Sequence, residues 1–494
     1  MSENQSSYRQ IMKATSLFGG VQVFKIIIQI VQSKVVALLL GPHGMGIIGL
    51  LNSNLQLLAG LTNFGLGTSA VKNISEAHAT GDRKKVALVV WVLRKLVWAT
   101  GLLGAVLTLV FSSWLSEITF GNRDYTMAFV WISCTLLFNQ LSAGQLVLLQ
   151  GLRQLKHLAN ANLTGSLLGL VIAIPLYYYY RIEGIVPVII ATSLANMVRS
   201  WYFARKVTLE KPISNKQEEK AAGKEMLKMG FMLSLSGLLT IGTAYLLRIF
   251  ISRTGDVAQV GLYAAGFAII ESYVGLVFSA MSTDYYPKLS AINKDNEKVR
   301  TLVSQQATIA ILILMPIIVV FIIFSKVIIQ ILYSTQFLAI EQMLNWAIMG
   351  MLLRGVSWSM GFILFAKSDS SLFLKTALGF NTLFLLINLA GYHWGGLTGL
   401  GITFLINYSI HFVVLLGLTK KRYEFYFDKL FYKLLLITGL IVLLSFSISF
   451  ISKPFLKYIF GAVIILIATA YALYELDKRM NLKEILRKLK NRKQ

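Results

Sequence analysis

The stretch LVSQQATIAILILMPIIVVFIIFS, residues 302–325, runs for 24 residues without a charged side chain. Lys294, Lys298 and Arg300 precede it and Lys326 follows it. About 20 predominantly apolar residues cross the ~30 Å hydrocarbon layer as one helix, so the stretch reads as a transmembrane span with one strongly basic end. Working outward in both directions, the same unit recurs at 10–40, 43–71, 88–114, 125–150, 156–180, 184–204, 229–252, 257–286, 341–366, 371–391, 395–419, 431–452 and 454–474. The chain is therefore expected to be an all-α polytopic membrane protein with about 14 transmembrane helices.

Composition agrees. Of 494 residues, 56% are hydrophobic and 14% charged, with a mean hydropathy of +0.66. Soluble domains are about 45–50% apolar and about 25% charged. A net charge of +25 would suit a nucleic-acid binder, but the cations sit at the ends of spans, which excludes that class. Of the 47 Lys and Arg residues, 34 fall in alternate loops and the two tails, and only 6 (Arg123, Arg181, Arg253, Lys326, Lys453 and Lys457) in the loops between. Cytoplasmic loops carry the Lys and Arg excess, so both termini are expected in the cytoplasm. The single cysteine, Cys134, lies in an apolar run, leaving no intrachain disulfide or thiol metal site. Met1 to Arg9 is polar and lacks a cleavable signal pattern, so the first apolar run is expected to remain as a helix.

The longest polar stretch follows the sixth span and reads as a linker between two six-helix lobes. The expected organisation is 1–206 for the first lobe, 207–228 for a cytoplasmic linker and 229–420 for the second lobe. An extra helix pair at 421–475 and a basic tail at 476–494 complete it. An internal repeat supports the lobes. Gly41 matches Gly255, Lys72 matches Lys288, Leu149 matches Leu364 and Gly184 matches Gly399, at a spacing along the chain that is constant to within two positions. Each lobe has an even number of spans, so the repeats share orientation.

The first two spans carry a resemblance. Lys34-Val35-Val36-Ala37-Leu38-Leu39-Leu40-Gly41-Pro42 is followed by Gly44-Met45-Gly46-Ile47-Ile48-Gly49-Leu50, then Asn63-Phe64-Gly65-Leu66-Gly67-Thr68-Ser69 and Lys72-Asn73-Ile74-Ser75. This long first helix, glycine turn and glycine-broken second helix resembles the O-antigen-type polysaccharide flippases of the multidrug/oligosaccharidyl-lipid/polysaccharide exporter superfamily. The resemblance implies a bacterial inner-membrane flippase for an undecaprenyl-pyrophosphate-linked oligosaccharide, working by alternating access. It implies coupling to a proton or sodium gradient, no cofactor, and the lipid-linked oligosaccharide, membrane lipids and the polysaccharide polymerase machinery as partners. Fourteen helices rather than twelve are similar to the lipid II flippases, where the resemblance implies that the extra pair lines a lipid groove. Alternatives are a lipid II flippase or a multidrug exporter of the same superfamily. An enzyme is disfavoured, since every outer loop is short and without a carboxylate cluster.

Ionisable and amide side chains at membrane depth are functional candidates. Gln22, Lys25, Gln29 and Gln32 share one face of the first span, and Asn52, Gln56 and Asn63 one face of the second. Either stripe lines a wet cavity or bonds neighbouring helices. Lys34 and Arg248 occupy matching positions of the repeat near span ends, where both could snorkel. Arg354 lies mid-span in span ten, and Glu271 is the one carboxylate near the middle of a span. The two either neutralise each other or form a substrate cation beside a proton carrier. The substrate-binding candidates are thus Gln22, Lys25, Gln29, Gln56, Asn63, Arg248 and Arg354. Glu271 is the coupling-ion candidate, Gly60, Gly65 and Gly67 are the hinge candidates, and no metal site is expected. The chemistry fits the implied substrate, since a diphosphate needs cations and sugars need amides and hydroxyls. A drug exporter would favour carboxylates.

Topology is directly testable. Cysteines at positions 82, 215, 295 and 425 should be shielded from impermeant thiol reagents in intact cells, while those at 43, 122, 254 and 393 should label. Labelling of position 215 from outside would overturn the arrangement.

Overall fold

The computed structural model describes residues 24, 26–210 and 215–480. All regular elements among them are helical. In chain order they are α1 (Ile26–Leu39), α2 (Gly41–Thr62), α3 (Leu66–Ala79), α4 (Arg83–Val110), α5 (Ser112–Phe120), α6 (Thr126–Gly151), α7 (Leu155–Tyr180) and α8 (Ile185–Ala204). Then follow α9 (Lys216–Thr254), α10 (Val257–Ala268), α11 (Leu276–Ala291), α12 (Asn296–Ile323), α13 (Ser325–Leu332), α14 (Glu341–Ala366), α15 (Ser370–Tyr423), α16 (Lys429–Ser449) and α17 (Pro454–Met480).

Among the described residues, ten helices are long and apolar enough to cross a membrane. Two of these are double: a 3₁₀ turn at Arg181–Gly184 separates α7 from α8, and Gly396, at φ 54° and ψ −137°, breaks α15. Two shorter apolar helices, Ile26–Leu39 and Val257–Ser272, stand where the first and eighth spans were expected. Large apolar side chains face outward along the helices, as with Leu436 at 64% and Leu466 at 69% exposure. Surfaces of this kind are covered by lipid tails, and the chain is a multi-pass membrane protein.

The internal repeat extends to backbone detail. Helices starting at 83, 112, 126 and 155 recur at 296, 325, 341 and 370, again at a spacing constant to within two positions. Arg153 and Ser368 share the same left-handed φ of 55°, each ending a span. Arg181 (φ 51°, ψ −126°) and Gly396 adopt the same unusual conformation at matching places in the repeat. Eight residues before Gly184 and Gly399, the carbonyls of Leu176 and Gly391 lie where a Cβ on the glycine would be, 2.6 and 1.8 Å away. Asp82 and Asp295 cap α4 and α12 through the amides two and three residues on. The Lys298 amide and side chain, with the Glu297 amide, hold the Asp295 carboxyl below the usual range.

Contacts divide the chain into two compact units, Met1–Gly261 with Leu332–Ser334, and Leu262–Ile331 with Thr335–Gln494. Within the linker expected at 207–228, residues from Lys216 onward are the start of the 39-residue α9, whose N-cap Asn215 and Glu218 form a capping box. Residues 211–214 lie outside the described residues, as does most of the expected tail.

In the first unit α4, α8 and α3 pack on α6, which buries Phe129, Ile132, Leu148 and Leu149. In the second, α12 and α14 are central. Ala307, Ile311, Leu314, Ile318 and Ile322, at helical spacing, are fully buried. The extra pair α16–α17 packs on α12, with Gly461 against Ile323. Glu341 at the start of α14 holds α17 there: its carboxylate lies 3.9 Å from Lys457 Nζ and 3.7 Å from Lys326 Nζ, and accepts from Ser325 Oγ at 3.1 Å.

Of the three hinge candidates, Gly65 sits at the break. It has φ +65°, and a Cβ there would fall 2.0 Å from the Gly230 carbonyl oxygen on α9. Gly60 and Gly67 lie inside α2 and α3, and Gly67 has open space where its Cβ would be. Gly65→Ala should therefore cost more than about 2 kcal/mol, from left-handed strain plus the clash. Gly67→Ala should be neutral or stabilise by up to about 1 kcal/mol. Thermal unfolding of both variants in detergent checks the contrast; equal effects would refute it.

Candidate functional site

Two polar constellations stand inside the apolar units. The first, in the first unit, joins α2, α5 and α9. Tyr245 donates its hydroxyl to Asn54 Oδ1 at 2.9 Å, Asn54 Nδ2 donates to Thr119 Oγ1 at 2.8 Å, and Thr119 and Tyr245 hydroxyls meet at 3.0 Å. Each member can donate once and accept once around this closed ring, so three buried polar groups satisfy one another. One turn along α9, Arg248 Nη1 donates to Ser53 Oγ at 2.7 Å. Its Nε is buried without a hydrogen-bond partner among the described residues. The C-terminal end of α9 is tied further by Arg253, which donates to the carbonyls of Glu117 and Ile118.

The second constellation lies in the second unit. Residues Ile269–Val274 form a π-helical turn, closed by the Gly275 amide bonding to the Ile270 carbonyl. Such turns re-aim side chains and concentrate at functional sites. This one carries Glu271. Arg354, on α14, grips it in a two-pronged pair, Nη1 to Oε1 at 2.5 Å and Nη2 to Oε2 at 2.8 Å. The guanidinium carbon lies 5.4 Å from the Tyr408 ring and 5.6 Å from the Phe278 ring, and Nη1 also approaches Met351 Sδ at 3.7 Å. The Arg354 side chain is 21% exposed and that of Glu271 49%, so the arginine is sheathed and the carboxylate reachable. Beyond Tyr408 on α15, the Nδ1 of His411 and both amide atoms of Asn407 are buried without hydrogen-bond partners among the described residues.

The sequence-derived candidates divide accordingly. Gln22 and Lys25 lie outside the described residues. Gln29 and Gln56 are exposed on α1 and α2. Asn63 takes the Gly65 amide on its Oδ1 at 2.8 Å, so it stabilises the break after α2. Arg248 joins the first constellation. Glu271 and Arg354 are brought together. Lys34 donates to the Tyr333 carbonyl at 2.5 Å. Ser53, Asn54, Thr119 and Tyr245 were not foreseen. The spacing Asn52, Gln56, Asn63 drew attention to one face of α2, whereas the buried polar pair lies on another.

Tyr245→Phe should lower stability by about 1–2 kcal/mol, because Asn54 Oδ1 then loses its donor inside an apolar packing. Thermal unfolding measures it, and an unchanged midpoint would show that the ring bears no load.

A model of the family described as polysaccharide biosynthesis protein matches residues 35–342, more than half of the chain. A lipid III flippase of Escherichia coli (strain K12) is 20% identical over 421 residues, covering 82% of this chain and 97% of the relative. Among solved structures, a lipid II flippase MurJ in an inward closed conformation aligns with a TM-score of 0.67 at 13% identity, over 94% of this chain and 99% of that one. An inward-facing multidrug resistance transporter of the MATE family aligns with a TM-score of 0.62 at 15% identity, over 82% and 94%.

Proposed function

The chain belongs to the polysaccharide biosynthesis protein family, and from that membership we propose that it is a flippase for a polyprenyl-diphosphate-linked oligosaccharide. It moves the repeat unit of a surface polysaccharide from the cytoplasmic to the outer leaflet of a bacterial inner membrane, with both termini cytoplasmic. The similarity to a lipid III flippase over nearly that protein's whole length supports this reading. The charge distribution supports the orientation.

The observation that carries the mechanism is the two-pronged Glu271–Arg354 pair. A guanidinium fork matches phosphate as well as carboxylate. Arg354 is sheathed by aromatic rings and cannot lose its charge, so whatever displaces Glu271 must itself be anionic. A diphosphate entering the site exchanges with Glu271 on Arg354. We take this exchange on Arg354 to be the point at which substrate occupancy and coupling through Glu271 meet, within an alternating-access cycle.

Glu271→Gln should insert normally but transport about 5- to 150-fold more slowly, the range of a coupling free energy of about 1–3 kcal/mol. Flipping of a fluorescent polyprenyl-diphosphate oligosaccharide in proteoliposomes measures it, and the wild type should slow when the proton gradient is collapsed. Glu271→Gln/Arg354→Gln should not recover. If Glu271 only neutralises Arg354, removing both partners restores transport, and that recovery would defeat the coupling role.

A further inference from the structure

On the first unit, α4 and α8 both pack on α6 and leave a groove along it of about 590 Å³. Its floor is α6, with Leu141 and Gln145 one turn apart. One wall is α4, with Arg94 and Trp98 one turn apart, and the other is α8, with Trp201 and Arg205 one turn apart. Each wall therefore presents a tryptophan on the apolar side of an arginine. A smaller hollow reaching Gly144 and Val97 adjoins it through Arg94, Trp98, Leu141 and Gln145.

The two arginines are exposed and have no carboxylate partner among the described residues. Arg205 lies 4.9 Å from the Trp201 ring. The contrast with their neighbour is informative: Lys95, beside Arg94, is paired with Glu219 at 2.7 Å. The carboxylate available on α9 goes to Lys95, and the charge facing the groove is left to a ligand.

We propose that this groove is a binding site for an anionic glycerophospholipid of the cytoplasmic leaflet. The headgroup phosphate is held between Arg94 and Arg205 and the acyl chains lie along α6 beneath Trp98 and Trp201. The location rests on the proposed orientation, not on the flippase reading. Basic pockets between helices on the cytoplasmic side select anionic headgroups, and tryptophan marks the headgroup level. The chemistry favours a phospholipid over the oligosaccharide lipid. Among the described residues lining the groove, Gln145 carries the one side-chain oxygen, so donors abound while acceptors for the hydroxyls of several sugars are lacking. A lipid here fills the space between α4 and α8 and so fixes their separation within the first unit.

The test uses the full chain in mixed micelles with phosphatidylglycerol or phosphatidylcholine brominated on the acyl chains. Bromine quenches tryptophan at contact, and the part of the quenching absent from Trp98→Phe/Trp201→Phe is the groove signal. The wild-type signal should favour phosphatidylglycerol about thirtyfold, since two arginines at a membrane surface each contribute roughly a factor of five. Arg94→Gln/Arg205→Gln should abolish that preference, and Arg83→Gln/Lys206→Gln, outside the groove, should keep it. Equal quenching of the wild type by both lipids would overturn the site, and this arm holds even if a variant fails to fold. Displacement of brominated phosphatidylglycerol by an equimolar polyprenyl diphosphate would also overturn it, by making the groove a port for the transported lipid.

Discussion

Within hydrocarbon there is no water to bond an exposed amide or carbonyl, and each unsatisfied group costs several kcal/mol. The chain therefore has to stay helical wherever it faces lipid, and every departure from the helix must be satisfied inside a unit. Two departures among the described residues show their compensation. After α2 the chain turns through Phe64 and Gly65, both with positive φ. There the Asn63 carboxamide takes the Gly65 amide, and Gly230 of α9 packs against the turn with no side chain between. The π-helical turn in the second unit keeps its ladder by bonding one residue further back. Polar function collects at these places because they are where polar groups can be held: Asn63 belongs to the first departure and Glu271 to the second.

The repeat shows what is scaffold and what is site. Positions that set backbone path agree between the copies even when the residue does not, as at Arg181 and Gly396, where an arginine and a glycine share one backbone conformation. Some charged positions agree, as Lys34 does with Arg248 and Asp82 with Asp295, but the ionic pair does not. At one common spacing, Glu271, Arg354 and Tyr408 correspond to Gln56, Asn139 and Ser193, none of them charged. The ionic site is thus peculiar to the second unit, while the first unit's buried chemistry is a neutral hydroxyl and amide ring with a cation at its edge.

Much of this was legible in the sequence, for a physical reason. Apolar length, the spacing of basic loops and the offset between glycines are one-dimensional signals, and the helices and the repeat follow from them. Gly65 could be read because a break in an apolar run shows as such. The side chains that complete the sites could not. Tyr408 and Phe278 reach Arg354 from two other helices, and no periodicity along either announces that. On α2 the sequence offers several polar side chains close together. Only packing decides that Ser53 and Asn54 are enclosed while Gln56 is exposed. The mid-span charges Glu271 and Arg354 were conspicuous singly, but their pairing was one of two open readings, since a sequence does not tell which helices adjoin.

The geometry of that pair also bears on what kind of ligand can work the site. Removing one partner of an ion pair leaves the other charge unneutralised, and here that charge is Arg354, the more enclosed of the two. A neutral or cationic molecule displacing Glu271 there would leave it so. A phosphate-bearing ligand would replace the carboxylate with a group of the same sign and a matching fork geometry. The pair as built therefore favours an anionic group over a cationic one beside Arg354.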